Sequence, residues 1–192
     1  MTAFDENDRM EYAALMTGGR DAGHTGQLCG VASGIAAAVL LSWGVAAKSA
    51  ALMLPVMLAV AYGFYANLRA RYHARLVAGY VEEYHEGRGG PQWFTRLRSA
   101  RSLPGFSFAH DLVNTVLANA VMLAAVVFGW MFAPGALRGE LMAGIVTGCG
   151  IVFAFHSFSE TTRLHTTDFA ASWRQASGEL REEKRAARVA GS

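Results

Sequence analysis

The stretch "LCGVASGIAAAVLLSWGVAA", residues 28–47, decides the fold, because it contains no charged side chain. A helix of about 20 mainly apolar residues is enough to cross the roughly 30 Å hydrocarbon core of a bilayer. Three more charge-free runs follow, at residues 49–68, 112–137 and 141–159. A helix on the core of a soluble protein keeps a broad polar face, and these runs show little of one. Of the 192 residues, 53% are hydrophobic and 17% charged. The chain therefore reads as all-α: a polytopic membrane protein with four transmembrane helices in two outward-facing hairpins. Long cytosolic helical extensions follow spans two and four.

The segment ahead of the first run is acidic, with Asp5, Glu6, Asp8, Glu11 and Asp21 against Arg9 and Arg20. It lacks the basic leader and small-residue cleavage site of a signal peptide, so the first run is expected to stay as a helix. The links between spans one and two and between spans three and four each hold one basic residue, Lys48 and Arg138. The rest of the 17 Lys and Arg fall in the N-terminal segment, the central loop and the C-terminal tail. Basic residues close to spans stay cytoplasmic, which predicts an inner (plasma) membrane protein with both termini in the cytoplasm. Trp43 and Trp130 then stand near the outer helix ends, where amphipathic rings favour the interface. The expected organisation is a cytosolic N-terminal segment (1–27), a first membrane hairpin (28–68) and a cytosolic helix with a basic-aromatic loop (69–110). A second membrane hairpin (111–159) and a cytosolic C-terminal helix (160–192) complete it.

After span two, "RARYHARLVAGYVEEYHEG" (69–87) continues as a helix, with Leu76, Tyr80 and Tyr84 on one face beside Val77 and Val81. "GRGGPQW" breaks it. The following "WFTRLRSARSLPGFSF" suits the surface of an anionic membrane, with Arg96, Arg98 and Arg101 near headgroups and Trp93 partly inserted. Its plainer reading is a linker whose arginines fix topology. In the C-terminal tail, Phe169 and Trp173 are four apart, and Glu179 and Glu183 stand near Arg181, Lys184, Arg185 and Arg188. A net charge of +2 gives no argument for nucleic acid.

Within the spans, Gly30 and Gly34, and likewise Gly144 and Gly148, are four apart, a spacing that lets helix backbones approach. The most informative stretch is "HDLVNTVLANAVML" (110–123). Asp111, Thr115 and Asn119 lie along one helical stripe, flanked by Asn114. In lipid each unpaired polar group costs several kcal/mol. The stripe is therefore either interhelical glue or the lining of a watery path favouring cations.

Glu82 and His85 have the i, i+3 spacing used twice in carboxylate-bridged metal bundles, and His156 and Glu160 could add ligands. No second such pair exists, so no metal and no cofactor is expected. The nucleophile-elbow, zincin, phosphate-loop and C-x-x-C motifs are absent, and no enzyme activity is expected. Cys29 and Cys149 read as small buried apolar side chains. "RYH" (71–73) and "RLH" (163–165) fall at similar distances past spans two and four, as a two-plus-two repeat would place them, but the match does not extend to the rest of the halves.

"MEYAAL", the pair of spans with a Pro in the second, and "ARYHARLVAGYVEEYHEG" resemble small four-span membrane proteins of actinobacteria. The plan of short membrane hairpins with long cytosolic helices also resembles, in architecture, membrane effectors of bacterial nucleotide-signalling defence systems. Neither resemblance carries over a functional residue. Together they imply a membrane effector or channel, expected to be a homo-oligomer, whose cytosolic helices sense a small-molecule signal or a protein. The alternative is a non-conducting scaffold or accessory subunit docking a cytosolic partner, and a third reading is a small transporter.

Overall fold

The structure, a computed structural model, describes residues 6–84, 108–133, 137–176 and 178. His85, the segment holding Trp93, Arg96, Arg98 and Arg101, and the charged tract from Glu179 to Arg188 lie outside the described residues. Helix α1 spans Glu6–Ala46, a 3-10 turn spans Ala50–Leu52, and α2 spans Met53–Tyr84. Helix α3 spans Phe108–Met131 and α4 spans Leu137–Thr166. Residues 169–176 are also helical, and no strand occurs among the described residues.

Among the described residues, four helices are long and apolar enough to cross a membrane, within Arg9–Ala46, Ala50–Tyr84, Asp111–Met131 and Leu137–Thr166. At 1.5 Å per residue, the 24 residues of α3 reach about 36 Å and the 41 of α1 about 60 Å. The acidic segment at the start of the chain is thus, from Glu6 onward, the first part of α1.

The turn after α1 is closed by its backbone. Lys48 N–H bonds to Val45 O at 3.2 Å and Ser49 N–H to Gly44 O at 3.0 Å, the two bonds of a Schellman cap. Lys48 is the left-handed residue, at φ 48°. Glycine usually fills that place, since a side chain costs roughly 1 kcal/mol there. Pro55 falls in the first turn of α2, where its missing N–H breaks no helical bond.

The contacts divide the chain into two units. The first lies within Gly23–Arg71 and Ser107–Thr166. In it, α1 and α2 run antiparallel at close range. A Cβ on Gly26 would lie 2.4 Å from Ala70 Cβ, and one on Gly63 would lie 2.5 Å from Ser33 Cβ, so both positions need glycine. The buried centre joins Met53, Val56 and Met57 of α2 to Met122 and Ala125 of α3, Val146 and Phe153 of α4, and Ala37 of α1. Phe64 meets Phe153 edge-on at 5.4 Å. The first turn of α4 lies close to the end of α3: a Cβ on Gly139 would come within 2.9 Å of Ala133 O.

The second unit draws on the described parts of Met1–Ala22, Tyr72–Phe106 and Thr167–Ser192. Here the aromatic stripe of α2 meets Phe169 and Trp173. Tyr72 packs on Phe169 at 5.6 Å and Tyr80 on Trp173 at 5.2 Å, both edge-on. Trp173 Nε1 donates to Leu76 O at 3.0 Å, and Arg174 pairs with Glu83 at 3.3 Å. Tyr80 Oη donates to Glu11 at 2.8 Å, which ties in the start of α1.

Candidate functional site, a polar ladder between two helices

The polar stripe of α3 faces α4. Asp111 Oδ2 bonds to His165 Nε2 at 2.7 Å, Thr115 Oγ1 to Thr161 Oγ1 at 2.9 Å, and Asn119 Nδ2 to Ser157 Oγ at 2.9 Å. Each step moves four residues up α3 and four down α4, so the rungs repeat once per helical turn along an antiparallel pair. Thr115, Thr161 and Ser157 are buried, at 1%, 4% and 0% exposure. Trp130 Nε1 donates to Thr147 Oγ1 at 2.9 Å further along the same pair of helices.

Counting donors fixes the direction of each bond. The Thr115 hydroxyl gives its proton to Asp111 O at 2.8 Å, so Thr161 donates across the gap to Thr115. Ser157 donates to Ala154 O at 3.0 Å and accepts from Asn119. Asn119 places its second amide hydrogen on Thr115 O at 2.8 Å, and its Oδ1 is buried without a hydrogen-bond partner. Hydroxyls that bond their own helix and still accept from the neighbour hold two helices together without leaving protons over.

At the first rung, the ladder carries charge. Asp111, 8% exposed, also pairs through Oδ1 with Arg71 of α2. Arg71 Nε donates to Asn67 Oδ1 at 2.8 Å, one turn back on the same helix. Three helices thus meet at one carboxylate, each oxygen with its own partner.

Asn114 stands beside the ladder and lines a cavity of about 740 Å³. One end of the cavity is polar, with Gln27, Asn67, Arg71, Asp111 and Thr161. Beyond Ser33, Asn114 and Thr115 the lining is apolar, with Ala37, Leu41, Val60, Phe64, Leu117 and Val121.

The glycine pairs have unequal surroundings. Gly30 lies beside Asn67, 3.6 Å from Nδ2 by an added Cβ, whereas a Cβ at Gly34, Gly144 or Gly148 would meet nothing within 4 Å. Gly150 faces Val126 and Met57 at 3.1 and 3.2 Å. His156 lies against Tyr65 at 5.5 Å, and Glu160 lies 3.8 Å from Arg163. Among the described residues no three His, Cys, Asp or Glu gather as metal ligands, and Glu82 is described without His85.

Sequence reasoning found the α3 half of the ladder and missed the α4 half. Ser157, Thr161 and His165 are also spaced by four, and that match to Asp111, Thr115 and Asn119 was the available signal. Comparison with known proteins finds no matching family model, no similar curated protein and no similar solved structure.

Proposed function

We propose that the chain is a multi-pass inner-membrane protein, with both termini cytoplasmic, that works as a non-conducting scaffold or accessory subunit. The observation that carries this reading is the ladder: Asp111, Thr115 and Asn119 are engaged by His165, Thr161 and Ser157 of the same chain. A channel lining needs its polar side chains in water. Here they close the gap between α3 and α4, as polar glue does between helices in lipid. The unit holding Tyr80, Trp173 and Glu83 is the cytosolic part, and it docks a partner protein. The competing reading, an oligomeric effector or channel of a defence system with α3 along its path, requires the ladder to open.

The test is ion leak from vesicles of known protein content. Wild-type protein in potassium-loaded vesicles is expected to leak no faster than empty vesicles. A leak that Asn114→Leu/Asn119→Leu removes at matched incorporation overturns the scaffold in favour of the channel.

A further inference from the structure

The cavity beside the ladder is graded along its length. Gln27 of α1, Asn67 and Arg71 of α2, Asp111 of α3 and Thr161 of α4 gather at one end. In the proposed orientation that end faces the cytoplasm. From Asp111 to Val121 the wall follows ten residues of α3, about 15 Å, half of a roughly 30 Å hydrocarbon core. The cavity therefore spans one leaflet, polar at the headgroup level and apolar towards the middle. Small residues on α1, namely Gly30, Ser33, Gly34, Ala37 and Ala38, leave the room.

Volume limits what fits. The cavity of about 740 Å³ falls within the roughly 300–1,000 Å³ of small-molecule sites. Counting a methylene as about 30 Å³, the share of one liquid water, a chain of about sixteen carbons fills roughly 480 Å³.

The head is set by Arg71. A guanidinium has five N–H donors. Asn67 takes the one at Nε and Asp111 takes Nη1, which leaves donors on a side chain that lines the cavity. Asp111 does not repel an incoming anion strongly, because Arg71 and His165 take one oxygen each. A cation would find that carboxylate already engaged. We infer that the cavity binds a single-chain amphiphile with an anionic oxygen head, its head on Arg71 and its chain running along Phe64, Leu117 and Val121. Carboxylate and phosphate monoester heads share this chemistry. The site is independent of whether the protein conducts ions.

Gly34 allows a clean test. It lines the cavity, and a Cβ there meets nothing within 4 Å, so Gly34→Leu adds its bulk to the cavity from an unobstructed start. Gly148→Leu is the control, since Gly148 is equally open and lies outside the cavity. The full chain in phosphatidylcholine vesicles is irradiated with a palmitic acid carrying a diazirine in its chain, and the adducts are mapped by mass spectrometry. Adducts on residues such as Leu41 and Val121 are expected, falling at least about tenfold in Gly34→Leu, a loss of about 1.4 kcal/mol of binding, and holding at the wild-type level in Gly148→Leu. Competition by palmitate and by 1-palmitoyl lysophosphatidic acid is expected, and the stronger competitor identifies the head. Inorganic phosphate alone should not compete. Adducts confined to outward residues such as Ile35 and Val39, or unchanged in Gly34→Leu, would mean annular lipid only and overturn the site. A disulfide between two copies of Gly34→Cys, with Cys29 and Cys149 replaced by Ser, would place a second copy there and also overturn it.

Discussion

Replacing Asp111 by Leu removes the carboxylate at which α2, α3 and α4 meet. Arg71 and His165 each lose a partner, at contacts where the side chains retain 27% and 16% exposure. Hydrogen bonds to charged groups contribute about 1.5–3 kcal/mol each, and breaking a buried ion pair by removing one member costs roughly 3–5 kcal/mol. The lower end applies here, because the long Arg71 side chain can swing towards water and recover solvation. The expected loss is therefore about 3 kcal/mol. Replacing Arg71 as well removes the stranded guanidinium, so Arg71→Leu/Asp111→Leu should recover most of that loss, short of the part that the His165 contact contributes. The assay is unfolding of the purified protein from mild detergent by added dodecyl sulfate, followed by circular dichroism and run as a double-mutant cycle. If Asp111→Leu alone stays within about 0.5 kcal/mol of wild type, or the two substitutions simply add, the carboxylate is not the junction described.

Three further outcomes follow from the packing. Thr115→Val keeps the shape of a residue that is 1% exposed and removes the middle rung, which should cost about 1 kcal/mol in the same unfolding assay. Gly63→Leu should separate α1 from α2 and lower the melting temperature well below that of Gly148→Leu, since only the former would strike Ser33. Trp173→Ala removes two aromatic contacts and the bond to Leu76 O. Limited proteolysis should then cut between residues 167 and 176 faster, with protection within Ser107–Thr166 unchanged.

What could be read from the chain follows from the range of each interaction. The four long helices are legible because a charge-free run of about 20 residues is a local property, and residues 28–47 carry it without reference to anything else. The α3 stripe is legible for a similar reason, because spacing by four fixes a shared face. Spacing cannot name the partner of that face. Ser157 and Thr161 look unremarkable in an apolar helix, and only the antiparallel match to Asn119 and Thr115 gives them a role. Arg71 and Asp111 are 40 positions apart in sequence, and nothing local announces their pairing. The glycines make the same point: the i, i+4 pairs point to faces, yet an added Cβ would come closest to a neighbour's backbone at Gly79 and Gly139, each at 2.9 Å. Which small residue lies against a neighbour depends on helix rotation, which no short motif encodes.

Whether the α3 stripe is closed against α4 or wetted by a path can be read at Asn119, the rung farthest from Asp111. With Cys29 and Cys149 replaced by Ser, Asn119→Cys in native membranes is treated with a charged, membrane-impermeant thiol reagent. Ser172→Cys, exposed in the second unit, serves as the reactive reference once the membranes are permeabilised. No modification of Asn119→Cys is expected until dodecyl sulfate separates the helices. Modification in the native membrane at a rate comparable with that of Ser172→Cys would put water at the ladder and contradict the account.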